Sequence, residues 1–152
     1  MMYALALLIG VIAGLRAMTA PAAVAWMASL GFLRLGGTPL VFLSYALTPW
    51  IFTALALLEL VTDQLPKTPS RKVPVQFGAR ILSGGLCGAA LVLPVGNPWI
   101  GAALGAVGAV IGTLGGAAGR ARLAAMFGRD RPAALIEDAV AIVGAFLIVM
   151  AA

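Results

Sequence analysis

The chain has 152 residues, 62% of them hydrophobic and 10% charged, with a mean hydropathy of +1.09 and a formal charge of +5. So few charges cannot coat a soluble globule of this size, which makes the chain an integral membrane protein. Its ten basic residues are scattered and mostly sit at the ends of apolar segments, a topology signal and not a nucleic-acid surface. With no histidine, and with the one cysteine, Cys87, inside an apolar run, neither a disulfide framework nor a metal or Cys-His catalytic site is expected.

The charge-free runs Leu35 to Leu58 and Ile81 to Gly119 approach or exceed the ~20 apolar residues that cross a hydrocarbon core of about 30 Å. They lack the period-two alternation of barrel strands, so the expected fold is an all-α polytopic bundle of five to six transmembrane helices in a single domain, 1–152. Proline, glycine and charge place the breaks at Arg34 to Pro39, Pro66 to Pro74, Gly96-Asn97-Pro98 and Arg120 to Arg131. The helices then run over Tyr3 to Leu33, Pro39 to Gln64, Pro74 to Leu93, Pro98 to Gly119 and Pro132 to Met150. Asn97 caps the fourth, and Pro98 stands in its first turn, where a missing N–H costs nothing.

The first of these segments is too long for a simple span: 31 residues reach about 46 Å. It is expected to be broken or re-entrant near Gly14, with residues 1–13 either a half-helix dipping into the membrane or a separate sixth span. The N-terminal stretch has no positively charged leading region, so it is expected to stay on the protein. An internal repeat bears on the break. Gly14 to Ala20 matches Gly78 to Gly84 as G-x-R-x-(M/L)-(T/S)-(A/G), and Thr48-Pro49-Trp50-Ile51 is echoed by Asn97-Pro98-Trp99-Ile100. The offsets, 64 and 49, differ, so one gapless duplication into halves 1–66 and 74–152 does not explain both.

The loops around Lys67, Arg71 and Lys72 and around Arg120, Arg122, Arg129 and Arg131 are separated by two crossings. They therefore share one face, which the positive-inside rule makes cytoplasmic. Counted inward from that face, Arg16 and Arg80 lie at matching depth, and Glu59, Asp63, Glu137 and Asp138 lie in the same inner half of the membrane. An unpaired charge there costs at least ~2.5–3.5 kcal/mol, so these side chains should meet one another or a wet cavity. Two uses follow. Arg16 and Arg80, with the hydroxyls of Thr19 and Ser83 one turn above, form an anionic substrate site while Glu59, Asp63, Glu137 and Asp138 exchange protons or a cation. Alternatively the same charges only fix helix register, or reach lipid phosphates.

Glycines recur at spacing four, at Gly84 and Gly88 and again at Gly101, Gly105, Gly108, Gly112 and Gly116, with Gly115 and Gly119 beside them. Such small faces let helix backbones approach closely, either within the monomer or across a homo-oligomer seam.

Four stretches, GLRAMTAPAAVAW, ELVTDQLPKTPSR, GARILSGGLCGAAL and LIEDAVAI, together resemble the bacterial integral membrane proteins grouped as domain of unknown function 4126. The resemblance covers essentially the whole chain and implies a small inner-membrane protein of uncharacterised activity. It supplies no catalytic assignment. It singles out Arg16, Thr19, Pro21, Glu59, Asp63, Lys67, Pro69, Arg71, Arg80, Glu137 and Asp138. The functional expectation is a transporter or lipid translocase with no cofactor, whose partners are membrane lipids, anionic or phosphate-bearing ones included. The alternative is a non-transporting scaffold or lipid-binding subunit. An enzyme acting on lipid head groups is the weaker third, since no nucleophile and base stand together.

Overall fold

Proline positions and helix-capping chemistry divide the chain more finely than hydropathy does. The computed structural model describes residues 1–64 and 73–152, and they form α1 (Met2–Leu15), α2 (Thr19–Ser29), a 3-10 helix (Pro39–Ser44), α3 (Thr48–Thr62), α4 (Pro74–Val92), α5 (Pro98–Phe127) and α6 (Asp130–Ala151). No strand occurs among the described residues. The linker residues Lys67, Pro69, Arg71 and Lys72 lie outside them. Among the described residues three helices, α4, α5 and α6, are long and apolar enough to cross a membrane. Helices α1 and α3 are apolar but have only 14 and 15 residues, about 21 and 22 Å against a core of about 30 Å.

The first two apolar segments are thus each split, and proline explains both divisions. In an unbroken helix Pro21 would offer no N–H to the Ala17 carbonyl and its ring would collide with it. The chain instead leaves helix at Arg16, whose backbone is extended at φ −140° and ψ 114°, and re-enters at Thr19 with Pro21 in the first turn of α2. Pro49 does the same to the second segment: Tyr45, four residues earlier, is extended, and α3 starts at Thr48 with the proline in its opening turn. Between α2 and the 3-10 helix the chain turns at Gly31 and Gly37, both at positive φ, while Leu33 and Leu35 between them are buried.

Two further boundaries move. Helix α5 does not stop at Gly119 but runs 30 residues, because Arg120 to Phe127 are good helix formers and charge alone does not end a helix. It ends at Gly128, which adopts the left-handed conformation at φ +65°. Helix α6 begins two residues before Pro132, at Asp130, whose carboxylate suits the positive end of the helix.

Helices α1, α4 and α5 meet at backbone distance. Tyr3 at the top of α1 accepts from the Asn97 amide at 3.2 Å, and Gly10 and Gly14 lie on the backbone of Gly105 and of Ala109 to Thr113, so α1 runs parallel to α5. Helix α4 runs the other way, Gly84 against Gly105 and Gly88 against Gly101; a Cβ on Gly84 would stand 2.5 Å from the Gly105 carbonyl oxygen. Gly108 and Gly112 face the α1 backbone at Leu7 and Val11. Gly78, Gly115 and Gly119 have nothing within 4 Å of a Cβ position, and Gly116 is half-buried.

Helix α3 packs on α2 instead, where Trp26 donates to Thr53 Oγ1 at 3.0 Å and meets the Trp50 ring edge to face at 5.0 Å. The outward faces carry exposed Leu57, Val107, Ile111, Leu135, Val143 and Phe146. Such surface suits hydrocarbon and not water.

Candidate functional site

Breaking a helix inside an apolar bundle frees carbonyls at one new end and amides at the other, and each needs a partner. The carbonyls of Gly14 and Leu15 at the end of α1 accept from Arg80 Nη1 at 2.9 and 2.7 Å. Thr113 Oγ1 lies 3.2 Å from the Gly14 carbonyl and 2.7 Å from that of Ala109. Ser83 Oγ donates to the Ala17 carbonyl at 2.5 Å, the group that Pro21 cannot serve. On the other side of the break the amides of Ala17 and Met18 donate to the two oxygens of Glu59, at 2.8 and 2.9 Å.

The signs match the helix dipoles. A guanidinium sits on the negative end of α1 and a carboxylate on the positive end of α2. The two charges also face each other, Arg80 Nη2 lying 3.3 Å from Glu59 Oε1. Arg80 and Glu59 therefore clamp the break from α4 and α3.

Arg16, in the break itself, is wholly buried. Its Nε donates to Asp138 Oδ1 at 2.7 Å, its Nη2 reaches the same oxygen, and its Nη1 reaches Asp63. Gln64 donates to the second oxygen of Asp138 at 3.3 Å. A third arginine joins from α5: Arg120 is bonded to Asp130 at 2.9 and 2.5 Å, lies 3.6 Å from Glu137 and reaches the Asp63 carbonyl at 3.4 Å. Neighbours along α6, Glu137 and Asp138 thus serve different arginines. Both are buried.

Arg16, Glu59, Asp63, Arg80, Ser83, Glu137 and Asp138 are accordingly drawn into one network. Thr19 is not bonded into it: its Oγ1 is buried without a hydrogen-bond partner, and its side chain lines a groove between α2, α3 and α6. Gly84, Gly88, Gly101, Gly105, Gly108 and Gly112 lie on the helix contacts that hold α1, α4 and α5 around the break.

No family model, curated protein or solved structure matches this chain. The four stretches that carry the family resemblance supply most of the network, while Thr113, Arg120 and Asp130 lie outside them. The first gives Arg16, the second Glu59, Asp63 and Gln64, the third Arg80 and Ser83, and the fourth Glu137 and Asp138.

Three members of the network escape sequence reasoning: Arg120, Gln64 and Thr113. The charge of Arg120 reads as the end of a helix, yet on a helix that continues to Phe127 the residue faces α6. Gln64 follows Asp63 directly and carries no separate signal. Thr113 lies four residues from Ala109 on the glycine-bearing face of α5.

Proposed function

We propose that this chain is a small transporter or lipid translocase of the bacterial inner membrane, a member of the family its motifs resemble, which binds an anionic group at the break between α1 and α2. The observation that carries this reading is the occupancy of the two broken helix ends by ionised side chains from other helices. Discontinuous helices whose free ends hold ions near mid-membrane are the usual way in which transporter folds build substrate sites. Here Glu59 sits where an anion would sit, on the amides at the start of α2, and Arg80 sits where a cation would sit, on the carbonyls that end α1.

This arrangement is read as the closed state. An entering phosphate or carboxylate displaces Glu59 from the amides and competes with Asp63 and Asp138 for Arg16. The carboxylates so released take up protons or a cation, which couples the two movements. Helices α1 and α2 form a re-entrant pair in this reading, with the basic ends of α5 and α6 in the cytoplasm and a homo-oligomer adding interior room.

A second reading, the static scaffold or lipid-binding subunit, is favoured by the full engagement of the Arg16 guanidinium. Thermal unfolding in detergent separates the two. Under the transport reading the wild type gains stability with the logarithm of added phosphatidic acid or inorganic phosphate, and Arg16→Gln abolishes that gain. A wild type indifferent to both, with Glu59→Gln/Arg80→Gln restoring what either single change loses, overturns transport and leaves the scaffold.

A further inference from the structure

Helices α2, α3 and α6 enclose a groove of about 730 Å³ on the side of the bundle away from α5. Its walls are almost wholly apolar, with Ala22, Trp26, Ala56, Leu60, Ala145 and Phe146 among them. One end abuts the ion network on all three walls. Thr19 follows Met18, whose amide holds Glu59; Leu60 follows Glu59; Ile142 lies one turn beyond Asp138. The other end is framed by Leu30, Phe32 and Ala152. The groove is therefore apolar along most of its length, with Thr19 at the network end and Thr53, bonded to Trp26, farther along.

Its size limits what can fill it. From Thr19 to Leu30 is about 16 Å of helix. A single lipid chain fits, within the usual 300–1,000 Å³ or so of small-ligand sites. The network end supplies an unpartnered group. Thr19 Oγ1 is buried with no hydrogen-bond partner, a state that costs free energy unless something completes it. A threonine in a helix has two accessible χ1 rotamers, so rotation can turn the hydroxyl into the groove.

We infer that the α2, α3 and α6 groove binds one long acyl chain bearing a carboxyl head, with the head bonded to Thr19. A carboxyl is favoured over a phosphate because Arg16 and Arg80 are committed to the network and the amides at the start of α2 to Glu59, leaving one hydroxyl to meet a small, neutral group. This goes beyond the transport reading, since a static bundle holds the same groove.

Trp26 lines the groove and reports on it. In the full chain with Trp50→Phe and Trp99→Phe, palmitic acid brominated near its methyl end should quench Trp26 saturably. Unlabelled palmitic acid should reverse the quenching and hexadecane should not. Thr19→Val should weaken binding about three- to tenfold, the loss of one hydrogen bond, and Thr19→Ser should restore it. Ala56→Phe, which fills the groove, should abolish saturation. Independently of these variants, wild-type chain in native mass spectrometry should retain one palmitic acid per chain.

Quenching that rises linearly with probe and is unchanged in Ala56→Phe means dissolved lipid and overturns the site. So does competition by hexadecane, an unaltered affinity in Thr19→Val, equal quenching by a brominated two-chain phospholipid, or a wild-type chain that retains no palmitic acid. A Trp26 signal that changes with protein concentration alone would assign the groove to a second copy and overturn the proposal too.

Discussion

Arg16 is enclosed by protein, yet every nitrogen of its guanidinium has a carboxylate to reach. Its removal therefore leaves Asp63 and Asp138 facing each other with no cation between them. Breaking a buried pair by deleting one partner costs about 3–5 kcal/mol, so Arg16→Gln should lower stability by that order. Neutralising the partners as well, in Arg16→Gln/Asp63→Asn/Asp138→Asn, should recover most of the loss in a denaturation series. If the triple variant is no better than the single, the carboxylates are not what Arg16 balances. Arg16, Glu59, Asp63, Arg80, Glu137 and Asp138 can be found in the sequence because a membrane makes a charge within an apolar segment conspicuous. Their partners are less accessible. That Glu59 would bind two backbone amides, and Arg80 two carbonyls, depends on the helix being broken at 16–18, and the sequence pattern of Gly14 to Ala20 names no partner for a free amide.

At the scale of elements, hydropathy locates the apolar stretches and proline decides how they divide. Pro21 and Pro49 each interrupt a run that reads as continuous, and the rule that a proline rejects the carbonyl four residues earlier is local enough to apply to the sequence alone. The matched segments 14–20 and 78–84 show the limit of pattern: the first is an interrupted helix and the second lies inside the unbroken α4, where no proline follows at the same spacing. Glycine spacing carries a similar ambiguity, since Gly108 and Gly115 look alike in sequence. In the fold a Cβ at Gly108 collides with the Leu7 carbonyl, whereas one at Gly115 meets nothing within 4 Å. Gly108→Ala should cost about 1–3 kcal/mol through overpacking, because backbone cannot move aside as a side chain can. Gly115→Ala should be neutral or stabilise the helix by up to about 1 kcal/mol. Thermal unfolding of the two variants checks this, and equal effects would mean that neither helix face is a close contact.

For the whole molecule, alternation and charge together predict orientation. Helices α4 and α5 run antiparallel, and α6 follows α5 after a turn of two residues, so the basic stretch from Arg120 to Arg131 sits at one end of the bundle. The start of α3 lies at the other end, since Asp63 at its close reaches the network while Trp50 at its opening meets Trp26. The extension of α5 sharpens this picture. Thirty residues make about 45 Å, against a hydrocarbon core of about 30 Å, so its last turns, with Arg122 and exposed Met126, project beyond the core. By the positive-inside rule that projection is expected in the cytoplasm and the exposed segment around Ala46 outside. With Cys87 replaced by alanine, a single cysteine at Ala46 should react with a membrane-impermeant maleimide in intact cells. A single cysteine at Ala125 or Ser70 should react only after the membrane is opened. Labelling of Ala125→Cys in intact cells would reverse the orientation and put the three arginines and their carboxylates in the outer half of the membrane.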